Sequence, residues 1–218
     1  GFGFTGDSLP SAKAVQDCLE DCGTGRLISP DGMRSLLGEK ITAKQLLRDK
    51  DEQALPRLNF NAIAQGYSCD VVADYLHGLG VSDMLVDIGE IYCCGLNPSG
   101  KGWSIGIDNP VDGNNTPGAD IKDVWTSDGG SHGVVTSGNY RKFYVSDGKK
   151  YSHTIDPRTG YPVTHNLLSA TVIAPSAWEA DALATWFMVI GFEQARTYLD
   201  SHPEIQACLI SSEELWQN

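Results

Sequence analysis

One segment near the C-terminus limits the folds open to this chain. The spacing predicts a helix that begins after Ser176, with Ser176 and Glu179 as a capping box, and ends at Gly191. Its apolar side chains point in every direction: Ala177, Ala180, Ala182, Leu183, Ala184, Trp186, Phe187, Met188, Val189 and Ile190. A helix that is apolar on all sides is normally buried, so we expect this one to lie in the core.

Asp181 and Thr185 are the polar exceptions beyond the first turn of this helix. They lie four positions apart and therefore share a face. A buried carboxylate is costly unless it is paired or binds a metal, and a carboxylate beside a hydroxyl suits Mg²⁺. A structural interpretation is commoner for such a segment alone: the helix dipole favours Asp181, and Thr185 bonds back to the chain.

The remaining patterns mix helices with hairpin-connected strands. Helices are predicted at residues 10–21, 43–48, 66–79 and 193–199. Strands are predicted at residues 84–88, 103–107, 121–126, 133–137, 142–146, 151–155, 168–174 and 205–210, the last of which closes the chain. Asp147-Gly148 is a hairpin turn signal. This mixture favours an α+β fold with largely antiparallel sheets and packed helices, in one domain over residues 1–218.

Charge and cysteine content narrow the possible partners. The chain has 28 acidic and 16 basic residues, a net charge of −12 and no Lys/Arg cluster, which excludes a nucleic-acid partner. Phosphate ligands stay open, because metal ions and backbone amides hold phosphate without a basic surface. The six cysteines complete no zinc set, and we interpret them as small core residues. Adjacent Cys93 and Cys94 should face opposite sides of a strand.

Three further segments have the chemistry of a site. Residues 59–67 place small residues before a helix N-terminus, which is suited to a pyrophosphate, although a plain turn is the commoner meaning. Residues 153–160 end a strand with a turn, where His153 could act as an acid or base. Residues 135–140 end another strand with hydroxyls, without a nucleophile motif, so a serine hydrolase is not expected. We interpret the other four histidines as surface or turn residues.

These segments, in this order, resemble the ApbE family of FAD:protein FMN transferases. Residues 59–67 are similar to the family motif Asp-Leu-Gly-Ala-Ile-Ala-Lys-Gly-Tyr, and residues 87–90 to its Asn-Leu-Gly-Gly. Residues 103–107 resemble its Trp-x-Val-Gly-Ile, and residues 136–140 its Thr-Ser-Gly-x-Tyr. Residues 153–160 resemble its His-Ile-Ile-Asp-Pro-Arg-Thr-Gly. Residues 179–185 are close to identical to its Glu-Ala-Asp-Ala-Leu-Ala-Thr.

The resemblance implies a T-fold-like architecture and a magnesium-dependent reaction with FAD as substrate. A Thr or Ser hydroxyl of a target flavoprotein attacks the FMN phosphorus, FMN becomes a phosphoester and AMP leaves. The implied Mg²⁺ ligands are Asp181, Thr185 and the backbone carbonyl of Ala62, with Mn²⁺ or Ca²⁺ as alternative ions. The implied acceptor is a flavoprotein such as a subunit of a membrane redox complex. Family membership also suggests export to the periplasm, often with a lipid anchor.

The same resemblance implies contacts with FAD at Asn59, Gln65 and the backbone of Ile155. It implies a catalytic part for His153 near the pyrophosphate. Either His153 or Asp181 could assist removal of the hydroxyl proton, and the sequence does not separate them.

Three substitutions and one missing segment depart from the family pattern and keep other functions open. Asn59 replaces an acidic residue, Gln65 replaces a Lys, and Glu90 replaces the second Gly of its motif. Residues 1–4 resemble a segment that lies well inside family chains, so an N-terminal block that contributes flavin contacts is expected to be missing. The alternatives are an FAD pyrophosphatase, in which water replaces the hydroxyl, and a flavin-binding protein with weakened catalysis.

Overall fold

A computed structural model describes residues 10–20, 22, 59–114, 116–140, 143–146 and 149–218. The predicted helix at 43–48 and the turn at 147–148 lie outside these residues. The described helices are α1 (Ala12–Glu20), α2 (Ala64–Gly78), α3 (Ala177–Ile190) and α4 (Phe192–Asp200). The strands are β1 (Met84–Asp87), β2 (Ile91–Cys94), β3 (Ser104–Asp108), β4 (Ile121–Thr126), β5 (His132–Gly138), β6 (Phe143–Ser146), β7 (Lys149–Ser152), β8 (Ile155–Asp156), β9 (Tyr161–Pro162), β10 (Leu167–Ala174), β11 (Gln206–Ser211) and β12 (Leu215–Gln217).

A six-stranded sheet in the order β1-β2-β5-β10-β11-β12 organises the described part of the chain. Every neighbouring pair in it is antiparallel. Two-stranded pairs are formed by β3 with β4, β6 with β7, and β8 with β9. The prediction of an α+β fold with largely antiparallel sheets is therefore confirmed.

The helix α3 lies across β5 and β10, as its all-round apolar surface predicts. Its Phe187 and Met188 are fully buried against Val172 and Leu209 of the sheet in the largest core cluster. The helix α2 lies beside α3 and covers β1 and β2. On the opposite face of the sheet, the β3–β4 hairpin packs Ile105 into a second cluster. In the part of the chain described, no helix combines the length and apolar character needed to cross a bilayer.

The start of α3 is a point of close backbone contact. A Cβ atom on Gly66 of α2 would lie 2.3 Å from the carbonyl oxygen of Ala177, the first residue of α3. A Cβ atom on Gly133 of β5 would lie 2.3 Å from the Cα atom of the same residue. Only glycine avoids both clashes, so these two positions let α3 begin between α2 and the sheet.

Two local predictions were wrong. The side chain of Ser176 makes no capping bond to α3. Asp70 of α2 does so instead, because its two carboxylate oxygens accept hydrogen bonds from the amides of Ala177 and Trp178, each at 2.8 Å. The chain also does not close with β11, since β12 follows and pairs with it. The strand β12 was missed because its three residues are too few to show an alternating pattern.

Candidate functional site

Asp181 lies on the second turn of α3 with 5% of its surface exposed. Its Oδ2 atom accepts a hydrogen bond from the amide of Gly66, 3.0 Å away. In an ideal helix that amide would donate to the carbonyl of Ala62, as the next amide, that of Tyr67, donates to the carbonyl of Ile63. No basic side chain in the described part of the chain pairs with Asp181. Burial raises the pKa of Asp181, and the Gly66 amide acts in the opposite direction.

Thr185 lies one turn after Asp181 on the same face of α3. Its Oγ1 atom is 3.3 Å from the Oγ atom of Ser137 on β5. Both hydroxyls open into the cavity that Asp181 also lines. The helix and the strand end thus place a carboxylate and two hydroxyls around one space, and a structural role for Asp181 and Thr185 alone does not account for that convergence.

The cavity has a volume of about 260 Å³. Its lining is Asn61, Gln65, Glu90, Thr136, Ser137, Gly138, Tyr140, His153, Thr154, Asp181, Thr185 and Met188. Four predicted site residues therefore share it: Gln65, His153, Asp181 and Thr185. Two lining residues are carboxylates, and none of these described residues is Lys or Arg. The other histidines lie outside it.

Three predicted site residues lie around this cavity rather than in its wall. Asn59 is exposed, and its Oδ1 atom accepts a hydrogen bond from the amide of Asn61 at 2.8 Å. Ala62 directly follows Asn61 in the sequence. Ile155 lines a separate, apolar cavity of about 430 Å³ beside α1. Ile155 is thus not part of the wall of the polar cavity, although Thr154, which precedes it, is.

His153 lies between β7 and β8, and a third residue fixes both of its neighbours. The hydroxyls of Ser152 and Thr154 both donate to the Oδ1 atom of Asn139, at 2.5 and 3.0 Å. The amide of Thr154 also donates to the Ser152 hydroxyl at 2.9 Å. Sequence reasoning did not assign this role to Asn139. No spacing indicates it, because residues 139 and 152–154 meet only through the fold.

In the turn that follows His153, two charged side chains pair with each other. The guanidinium of Arg158 pairs with the carboxylate of Asp156 at 2.8 Å and holds the pKa of that carboxyl below its usual range. The amide of Gly160, at φ +74°, donates to the Asp156 carbonyl at 2.8 Å. The predicted turn is confirmed, and the cation of this motif supports the turn between β8 and β9.

Gln65 and Glu90 form the wall of the cavity nearest β1 and β2. The side-chain amide of Gln65 donates to the carbonyl of Ile88 at 3.2 Å, which ties α2 to the turn between these strands. Glu90 lines both this cavity and a neighbouring one of about 230 Å³ near the β3–β4 hairpin. This wall therefore presents an amide and a negative charge.

The donor atoms fit a hard cation with oxygen ligands. Among the described residues, no three His, Cys, Asp or Glu side chains converge where they could hold a metal. A cation at Asp181 could complete its coordination with hydroxyl, carbonyl or water oxygens, a set of ligands that suits Mg²⁺. The Thr185 hydroxyl and the carbonyl of Ala62, which the Gly66 amide does not engage, are oxygens of that kind.

Comparison with known proteins places the chain in a family. The model of the ApbE family matches residues 1–209, and the chain belongs to that family. An FAD:protein FMN transferase of Klebsiella pneumoniae is 42% identical over 140 residues, which are 64% of this chain and 38% of that protein.

Solved structures of the same family share the fold. The flavinyl transferase ApbE of Pseudomonas stutzeri, in its apo form, matches all of this chain and 62% of its own, with a TM-score of 0.73 and 33% identity. The flavin transferase ApbE of Vibrio cholerae matches all of this chain and 64% of its own, with a TM-score of 0.75 and 30% identity. The chain thus spans less than two thirds of each relative.

Proposed function

We propose that this chain carries the catalytic centre of a magnesium-dependent FAD:protein FMN transferase. The observation that supports this most directly is the buried carboxylate of Asp181, which lies without a cationic partner in the described structure. It faces a cavity that contains hydroxyls, amides and an imidazole, with no Lys or Arg among the described lining residues. A cation would offset the repulsion between a pyrophosphate and the carboxylates of this cavity, which supports Asp181 as a ligand of that cation. The relatives named FAD:protein FMN transferase supply the reaction.

In this proposal Asp181, Thr185 and the carbonyl of Ala62 hold Mg²⁺, with Mn²⁺ or Ca²⁺ as alternative ions. The amide of Gly66 holds one carboxylate oxygen of Asp181 and so fixes the orientation of the group. The bound cation neutralises pyrophosphate charge and makes the phosphorus a better electrophile.

The remaining polar residues act on FAD and on the acceptor. Asn59 and Gln65 donate hydrogen bonds to FAD, and the backbone of Ile155 contributes another contact. His153 takes the proton of the acceptor hydroxyl, because a carboxylate committed to a cation is a weak base whereas a neutral imidazole accepts protons near pH 7. The hydroxyl oxygen bonds to the FMN phosphorus, the bond from that phosphorus to the AMP oxygen breaks, and AMP leaves. The acceptor is a flavoprotein, for which the resemblance suggests a membrane redox-complex subunit.

One assay separates the possible activities. The chain is incubated with FAD, Mg²⁺ and a peptide that carries a candidate acceptor Thr, and flavin on the peptide is read by in-gel fluorescence. We expect a labelled peptide and released AMP, neither of which should form with Asp181→Ala or with a peptide whose Thr is replaced by Val.

The other outcomes have defined meanings. Release of FMN and AMP without labelling would assign the chain as an FAD pyrophosphatase. FAD binding without either product would leave a flavin-binding protein and contradict both enzyme functions. Full labelling by Asp181→Ala would contradict the metal assignment.

A further inference from the structure

Two carboxylates join the helices α2 and α3. Each lies on one helix and accepts hydrogen bonds from backbone amides of the other. Asp70 of α2 accepts hydrogen bonds from the amides of Ala177 and Trp178, at 2.8 Å each. Asp181 of α3 accepts a hydrogen bond from the amide of Gly66 at 3.0 Å. These five residues form what we call the α2–α3 clasp. Each helix thus holds a backbone amide of the other with a carboxylate.

From the clasp we infer that Asp70 is a positioning residue for the carboxylate of Asp181. Asp70 supplies both capping bonds to α3, because the Ser176 side chain supplies none. Its negative charge is also favourable at the positive end of the helix dipole. Asp70 is absent from the lining of the site cavity, so its influence on a ligand there must pass through α3.

The distance between the two helices leaves little tolerance for movement. Gly66 touches the backbone of Ala177 so closely that an added Cβ atom would lie 2.3 Å from the Ala177 oxygen and 2.8 Å from Cβ of Asp181. Asp181 lies one helical turn after the amides that Asp70 holds, and a helical turn is stiff enough to transmit a displacement. Fixing the start of α3 against α2 therefore fixes Asp181 relative to Ala62 and Gln65.

The inference rests on the proposed function, in which Asp181 holds a divalent cation. Metal ligands must be held within roughly 0.5 Å of the productive geometry, and loss of an outer partner typically weakens metal binding by about 10–100-fold. Because Asp70 acts through a helix and not by direct contact with a ligand, we expect the lower end of that range.

The test measures Mn²⁺ binding to the whole chain through the EPR signal of free Mn²⁺. It is carried out at a temperature at which circular dichroism shows every variant to be folded. Asp70→Ala is expected to bind Mn²⁺ about tenfold more weakly than wild type. Asp70→Asn keeps the shape and one acceptor oxygen, and should recover part of the loss.

Two control variants separate positioning from general stability. Asp74→Ala removes a charge from the next turn of α2 and should bind Mn²⁺ like wild type. Ile210→Val shortens a buried side chain on β11, in a core cluster that contains no residue of α2 or α3, and lowers stability without touching the clasp. It too should bind Mn²⁺ like wild type.

Several results would overturn the inference. A lower melting temperature for Asp70→Ala with wild-type Mn²⁺ affinity would make Asp70 a purely structural cap. Weaker binding by Ile210→Val to the same degree would assign the effect to lost stability. Absence of Mn²⁺ binding in wild type, or equal binding by Asp181→Ala, would instead refute the proposed metal site itself, and the positioning role with it.

Discussion

At the scale of single residues, the carboxylate of Asp181 makes stability depend on pH. Burial raises its pKa above that of an ordinary aspartate, so the folded chain binds this proton more tightly than the unfolded chain does. The stabilisation is fully present below the ordinary aspartate pKa and is lost as pH rises through the raised value. At neutral pH the ionised group therefore destabilises the metal-free fold.

Replacing Asp181 with Asn removes that buried charge while keeping the size of the side chain. In the presence of a chelator at pH 7, we expect Asp181→Asn to be more stable than wild type and to melt at a higher temperature. The difference should shrink as pH falls below the raised pKa. Thermal unfolding followed by circular dichroism from pH 4 to 8 gives the measurement. A variant less stable than wild type at pH 7 would contradict it.

Asn139 is the residue whose removal tests how His153 is held. Asn139→Ala takes the shared acceptor from Ser152 and Thr154, and a buried hydroxyl left without a partner costs about 1–3 kcal/mol. We expect peptide labelling to slow at saturating FAD, with FAD affinity close to that of wild type. Asn139→Asp keeps the acceptor oxygen and should retain much of the rate. Equal rates for Asn139→Ala and wild type would remove Asn139 from the site.

At the scale of elements, the contact between α2 and α3 depends on Gly66. Gly66→Ala would drive a methyl group into the backbone of Ala177, and we expect a loss of about 3 kcal/mol together with weaker metal binding. Gly78, at the other end of the same helix, supplies the matched control, because a Cβ atom added there would meet nothing within 4 Å beyond the backbone of its own helix. Gly78→Ala should be neutral or stabilising by about 0.5 kcal/mol. Urea unfolding measures the change in the free energy of unfolding for both variants. Equal changes for Gly66→Ala and Gly78→Ala would refute the close-packing argument.

Local sequence patterns predicted those elements in which the residues of the element itself show the apolar periodicity. The apolar surface of α3 predicted a core helix because burial of such a surface does not depend on the partner. The cap on α3 could not be predicted, because Asp70 lies 107 positions before Ala177 and nearby Ser176 has the expected chemistry. The strands β8 and β9 have two residues each, which is too short for an alternating pattern.

The residues of the site likewise fall into those that sequence motifs indicate and those that only the fold brings in. Gln65, His153, Asp181 and Thr185 belong to motifs that the sequence shows, and the fold brings them to one cavity. Asn139 falls at the variable position of the Thr-Ser-Gly-x-Tyr motif, and its partners lie 13 and 15 positions later, at and just after the end of β7. The metal and FAD roles of these residues, the export of the chain and its organisation as one domain stay predictions.

At the scale of the whole molecule, the cysteines report on the integrity of the core. Cys69, Cys93 and Cys208 are buried, and burial raises the pKa of each thiol to about 11. Cys93 and half-buried Cys94 pack into clusters on opposite faces of the sheet, as predicted. Cys18 and Cys22 are exposed on and just after α1, so the interpretation of the cysteines as core residues was wrong for these two.

Alkylation should therefore separate these thiols by position. With iodoacetamide at pH 8, we expect Cys18 and Cys22 to react first. The three buried thiols should react at least about 100-fold more slowly, because the reagent cannot reach them and their raised pKa leaves little thiolate. Peptide mass spectrometry gives the rates, and the same reaction in urea is the control. Fast labelling of Cys93 in the folded chain would contradict the packing of the sheet.

The contact between Gly66 and Asp181 also bears on how the protein is made. It joins residues 115 positions apart, on either side of nearly all the strands. A ribosome that has released α2 must still synthesise most of the sheet before Asp181 exists. Contacts of such long sequence separation form slowly, so the amide of Gly66 emerges from the ribosome well before the carboxylate that accepts its hydrogen bond. A chain that ends before residue 181 therefore lacks this contact, however well its first strands pair.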